Sequence, residues 1–278
     1  MQLTCEIIVV GNELLNGTTL DTNSHWMSGE LTKLGVKVDR KTTIRDELEV
    51  ISRTFLECLK RKPDWIFSIG GLGPTYDDLT VEGLALALGK KLYMDKRAVE
   101  MLKASYERRR RMFSTPLRKI SRASLKMAMI PEGSTPLPNS VGSAAGVLAR
   151  SGKTQIVSLP GVPSEMIAIF SEQVIPILKE DTSKYVHAEE WLEAIGISES
   201  RLSYSVSRIS KKYSGLIYIK SHPMGFEKGK SLIHIQIILS APVVEKDRAL
   251  PLLEKAATEM FIATKKLGGK VKRTKSIR

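Results

Sequence analysis

The stretch WIFSIGGLGPTYDDLT, Trp65–Thr80, decides the architecture. Its first five residues, Trp65–Ile69, form an apolar run of strand length, the pattern of a strand buried on both faces of a parallel sheet. Gly70, Gly71 and Gly73 follow. Pro74 and Thr75 are expected to start a helix that runs past Leu79 to Leu88 and stops at Gly89. In a strand–turn–helix unit, missing side chains let backbone amides approach an anion, and the helix N-terminus favours negative charge.

The same grammar extends outward. Cys5–Val10 is another apolar run, ending at Gly11, followed by helical spacing over Asn23–Leu34, a strand at Val36–Lys41 and a helix at Leu48–Lys60. Strands alternating with helices argue for an α/β fold, a three-layer, doubly wound, mostly parallel sheet whose ligands sit beyond the carboxyl ends of the strands. That geometry places Gly11–Gly17 and Gly70–Asp78 on one rim. Further along, Val99–Phe113 reads as a charged helix and Ser134–Gly146 as a loop. Strands at Val147–Arg150 and Gln155–Leu159 follow, then a helix at Glu165–Val174 capped by Ser164. From Tyr185 the order becomes α+β: strand His187–Ile195, helix Glu199–Ile209, strands Leu216–Lys220 and Leu232–Leu239, and helix Lys246–Lys265. Ser221–Ser231 is too long for a tight hairpin. The expected division is residues 1–175, 185–266 and a basic tail, 267–278.

With 278 residues and 42% hydrophobic content the chain can bury a sizeable core. Cys5 and Cys58 both sit in apolar stretches and read as buried, reduced thiols. No apolar run approaches the ~20 residues that span a bilayer, so a soluble, cytoplasmic protein without a membrane partner is expected. The net charge of +13 concentrates in Arg108–Arg111 and the tail from Lys265. A nucleic-acid surface would interleave aromatics among such charges. Only Tyr106 and Phe113 flank the arginines and the tail has none, so a solvated helix face and a frayed end are the expectation; nucleic acid is not the expected partner, and a nucleic-acid-associated non-enzyme using these charges is the remaining alternative. The four histidines, His25, His187, His222 and His234, show no metal-ligand spacing.

The acids carry the chemistry. Asp77 and Asp78 beside a phosphate cradle would repel the ligand unless a divalent metal lay between, as magnesium-type ions do when held by one or two carboxylates plus substrate oxygens; otherwise they complement a helix dipole. Glu13, after the first strand, is either a third acid on that rim or a turn residue. Asp21 or Thr22 caps the helix beginning near Asn23, or faces the ligand with it. Asp46 faces the same crevice or caps Leu48–Lys60. Asn139, Gly142 and Ser143 lie in a small-residue loop able to admit a close ligand, and Lys126 is within the range of types that reach a phosphate.

GNELLNG at Gly11–Gly17, DTN at Asp21–Asn23, GGLGPTYDDLT at Gly70–Thr80, NSVGSAAG at Asn139–Gly146 and LPGVPSEM at Leu159–Met166 together resemble the CinA-type branch of the molybdopterin-binding (MoaB/MogA-like) superfamily. The second module resembles the KH-like domain that follows in CinA-type proteins, although it shows no GXXG loop; the amidohydrolase domain that closes many members is not expected here. The resemblance implies either metal-dependent hydrolysis of a nucleotide pyrophosphate such as ADP-ribose or FAD, or pterin binding with adenylyl transfer in molybdenum cofactor metabolism. It points to Asp77, Asp78 and Glu13 for metal (Mg, Mn or Co) and catalysis, to Gly70–Thr75 for phosphate, and to a homodimer. Ala145 stands where the family usually has proline, and Ser198 where it has glycine.

Overall fold

The computed structural model describes residues 2–113, 120–182, 185–213, 215–227 and 229–274. The chain forms two compact units, one spanning Leu3–Asp181 and one from Thr182 onward. The first contains β1 (Thr4–Val10), α1 (Asn12–Leu15), α2 (Thr22–Lys33), β2 (Lys37–Ile44), α3 (Leu48–Arg61), β3 (Trp65–Ile69), α4 (Thr80–Leu88), β4 (Leu92–Met94), α5 (Lys96–Phe113), α6 (Arg122–Leu125), β5 (Met129–Pro131), β6 (Thr135–Leu137), β7 (Gly146–Ser151), β8 (Thr154–Leu159), α7 (Pro163–Ile169) and α8 (Ile175–Thr182). Six strands make one sheet in the order β2-β1-β3-β8-β7-β6. β2, β1, β3 and β8 run parallel; β7 runs antiparallel to both β8 and β6, so β6 shares the direction of the parallel strands.

Successive side chains of a strand point to opposite faces, which is why the apolar runs bury both sides. Ile7, Val9, Phe67 and Val157 pack with Met27 and Leu31 of α2 and Met166 and Ile169 of α7. Ile8, Val10, Ile66 and Ile156 pack on the other face with Ile51 and Phe55 of α3 and Leu84 of α4. The result is the expected three-layer doubly wound α/β fold.

One residue interrupts the apolar first strand. Glu6 is 4% exposed, and Arg61 at the end of α3 meets it with two N–H···O contacts of 2.6 Å. These bonds to the charged form hold the Glu6 carboxyl below the usual carboxylate range against the opposing effect of burial. Arg61→Ala would leave a buried carboxylate unpaired, so unfolding by urea should show a loss of about 2 kcal/mol, below the full buried-pair value because Arg61 is partly exposed. Cys58 and Cys5 are buried free thiols, and burial pushes Cys58 up to about 12.

Several boundaries differ from expectation for local reasons. The helix after β8 begins at Pro163 with Val162 at its N-cap and no side-chain cap bond; a proline at the first position presets φ and has no N–H to satisfy, so Ser164 lies inside the helix rather than before it. The second unit comprises β9 (Tyr185–Ile195), α9 (Glu199–Lys212), β10 (Ile217–Glu227), β11 (Lys230–Pro242), α10 (Lys246–Lys266) and β12 (Lys270–Thr274). Its antiparallel sheet has the order β10-β11-β9-β12. The stretch read as a long loop is strand: β10 and β11 pair as far as Glu227 with Lys230. Part of the supposed frayed tail is the edge strand β12, whose Arg273 is paired with Glu254. Among the described residues no helix is long and apolar enough to cross a membrane.

Candidate functional site

The turn after β3 is built from two left-handed glycines. Gly70 has φ +100 and Gly71 φ +69; a Cβ would lie 2.2 Å from the Val10 carbonyl oxygen at the first and 2.2 Å from Thr80 Oγ1 at the second. The buried Thr80 hydroxyl donates to the Gly70 carbonyl at 2.8 Å, tying the turn to the start of α4. That helix begins at Thr80, not at Pro74 and Thr75. The reason lies in the intervening side chains, which compete for backbone and hydroxyl groups as turn-forming Asp and Thr residues do. Asp78 Oδ2 accepts from the Thr75 amide at 2.8 Å, and both Asp77 Oδ1 and Asp78 Oδ2 lie 2.5 Å from Thr75 Oγ1. Asp77 and Asp78 thus precede the helix rather than line its first turn.

A hydroxyl carries one hydrogen, so it neutralises at most one of these carboxylate contacts at a time. The pair keeps an excess of negative charge directed at one point. The Thr75 hydroxyl bond, then a backbone hydrogen bond and, least, the Lys126 ammonium, hold the Asp77 carboxyl below the usual carboxylate range. Lys126 donates to the Thr75 carbonyl at 3.0 Å and lies 3.4 Å from Glu82 Oε1. Gly71, Gly73, Asp78, Glu82, Lys126 and Ala145 line one narrow cleft. Of the expected anion cradle, the Gly70 amide is taken by the Leu159 carbonyl, Pro74 has no N–H, and the Thr75 amide is taken by Asp78. The amides of Gly71, Leu72 and Gly73 remain.

Neighbouring loops add acids. Asp46 accepts from the Asn12 amide at 2.7 Å; it does not cap α3, whose N-cap is Glu47. Burial, followed by the negative charges of Glu13 and Asp77, raises the Asp46 carboxyl above the usual carboxylate range, so the loops after β1, β2 and β3 bring their acids within electrostatic reach of one another. Glu13 folds back against Gly11, where a Cβ would lie 2.5 Å from its Oε1. Among the described residues no three His, Cys, Asp or Glu gather as a metal-ligand group; Asp77 and Asp78 stand as a pair. Because the folded state binds the Asp46 proton more tightly than the unfolded chain, the penalty is absent below the ordinary carboxylate range and fully present above the raised value. Asp46→Asn should therefore raise the melting temperature of metal-free protein at pH 7 and leave it nearly unchanged at pH 3.

Other expected ligand residues are engaged in holding the scaffold. Asp21 is the N-cap of α2 and accepts from the Ser24 amide at 2.9 Å. Asn23 donates to the Gly161 carbonyl at 2.7 Å. Asn139 Nδ2 donates to the Ala144 carbonyl and to Glu165 Oε2, at 2.8 and 2.6 Å, while its Oδ1 accepts from the amides of Val141 and Gly142. Gly142 is where the Glu165 carboxylate passes, a Cβ there falling 1.9 Å from its Cδ, and Ser105 donates to the Ser143 hydroxyl. Arg108, first of the arginine run, donates to the Gly142 carbonyl at 2.9 Å. It anchors the loop instead of facing solvent, a role no local sequence signal marks.

A strand–glycine turn–acid site on a doubly wound sheet defines the class. The chain belongs to the family described as "Probable molybdopterin binding domain", which matches residues 6–180, and within it is CinA-like. It is 38% identical over 265 residues to a protein of Aeropyrum pernix, covering 95% of each chain. Over 276 residues it is 36% identical to a protein of Metallosphaera sedula, covering 99% of this chain and 100% of that one. Among solved structures it is similar to CinA of Thermoplasma acidophilum, itself described as of unknown function, with 36% identity, a TM-score of 0.55, and coverage of 64% of this chain and 98% of that one.

Proposed function

We propose that the chain hydrolyses a nucleotide pyrophosphate of the ADP-ribose or FAD type with the help of a divalent metal ion. The observation that carries this reading is the Asp77–Asp78 pair converging on a single Thr75 hydroxyl, beside the amides of Gly71–Gly73. The donor set fits such an ion: two hard carboxylates, with substrate phosphates and water completing the shell, suit Mg, Mn or Co. When bound, the ion supplies polarisation of a phosphoryl oxygen and a lowered pKa for water.

The chain's own groups do the rest. Amides of Gly71–Gly73 offset charge on the phosphoryl oxygens, and Lys126, held over the cleft by Thr75 and Glu82, adds a countercharge. Glu13 on the adjoining loop accepts the proton of the attacking water. Water adds to one phosphorus and the bridging P–O bond breaks, giving AMP and ribose 5-phosphate from ADP-ribose. A second reading rests on the family description: a protein that binds molybdopterin, or transfers an adenylyl group to it, through the same crevice. Calorimetry with ADP-ribose and with a pterin phosphate, each with and without metal, separates the two. Metal-dependent ADP-ribose binding followed by turnover supports hydrolysis; tight pterin binding with no pyrophosphate turned over supports the second reading.

A further inference from the structure

Large apolar side chains left in water are unremarkable singly; of those more than half exposed on this unit, Leu86 and Met112 lie on helices, and the other four lie on loops. Tyr76 is 90% exposed, although Thr75, Asp77 and Asp78 on either side of it are locked together by hydrogen bonds. Leu20, Val141 and Val162 are also more than half exposed, and each belongs to a different loop of the rim at the carboxyl ends of the parallel strands. Val141 reaches that rim because β7 runs antiparallel to β8, so the loop entering β7 lies beside the end of β8. An anion cradle with an exposed aromatic ring on the same loop suits an organic phosphate better than a bare one.

We propose that Tyr76, held at the tip of the acid loop, is the stacking platform for the adenine ring of the nucleotide and sets the preference of this site for nucleotides over sugar phosphates. This rests on the phosphate site proposed above. A tyrosine ring offers a rigid π face, and stacking on a base is worth roughly five- to hundredfold in affinity. The loop hydrogen bonds come from Thr75 and the two acids, so the ring can be removed without removing the cradle.

The test uses the full chain, Mg²⁺, and the two halves of ADP-ribose as probes. AMP and ribose 5-phosphate each carry one phosphate, and only AMP carries the base. Calorimetry should show AMP binding at least about tenfold more tightly than ribose 5-phosphate. Tyr76→Ala should abolish that gap and leave ribose 5-phosphate binding unchanged, while Tyr76→Phe should keep it. Equal binding of both probes by the wild type, or a gap that survives in Tyr76→Ala, overturns the ring site while leaving the phosphate site standing. Failure of the wild type to bind either probe overturns both. Light scattering provides the remaining check: a dimer that falls apart in Tyr76→Ala would make the apolar rim an interface between two copies and would also overturn the proposal.

Discussion

Asp78→Asn is expected to lower metal-dependent ADP-ribose hydrolysis by at least about 100-fold while changing the melting temperature little. Asparagine keeps an acceptor for the Thr75 amide, which Asp78 Oδ2 now engages at 2.8 Å, so the loop retains its bond. It removes half of the negative charge that faces the shared hydroxyl. Outer-shell partners of metal ligands already cost 10- to 100-fold when lost, and a direct ligand should cost no less. Rates measured across a range of metal concentrations distinguish the causes: a loss that metal in excess restores indicates weakened metal binding, and a loss at all concentrations indicates damaged chemistry. Wild-type rates in Asp78→Asn would remove the acid pair from the mechanism.

Gly70→Ala is expected to destabilise the first unit by about 3 kcal/mol or more. The backbone at φ +100 is one that an L side chain rarely adopts, and the added Cβ would sit 2.2 Å from the Val10 carbonyl oxygen. That atom belongs to the interior strand β1 and cannot swing aside, so strain and overpacking add. For a unit of this size the melting temperature should fall by roughly 6–12 °C. Gly17 is the control, because its φ of +72 is also left-handed but nothing lies within 4 Å of a Cβ there. Gly17→Ala should cost only about 1 kcal/mol, the conformational part alone. Equal effects at the two positions would show that the contact with β1 does not matter.

The core strands were legible because both of their faces are buried: Trp65–Ile69 is buried at every position, and such a run has few other readings. What escaped lies where burial gives no signal. The outer part of the β10–β11 hairpin is an exposed ribbon, and its residues Pro223–Glu227 are all solvent-facing, so no apolar alternation marks it. β12 is an edge strand with Lys270, Lys272 and Arg273 in five residues, charged as edges often are, and therefore reads as a tail. Around the turn after β3 the glycines and acids are adjacent in the sequence, but which of their polar groups are already engaged is not legible there. Asn139 reads as a ligand group and is a loop clamp; Arg108 reads as surface charge and is the anchor of that loop. Contacts spanning about thirty positions of sequence leave no local pattern.

Turnover of ADP-ribose by the full chain, followed as release of AMP and ribose 5-phosphate with and without added Mg²⁺, Mn²⁺ or Co²⁺, tests the central claim most directly. Product formation that requires a divalent ion and is removed by a chelator is the predicted result. Intact ADP-ribose under every ion, from protein that is folded and binds a pterin phosphate, would contradict it.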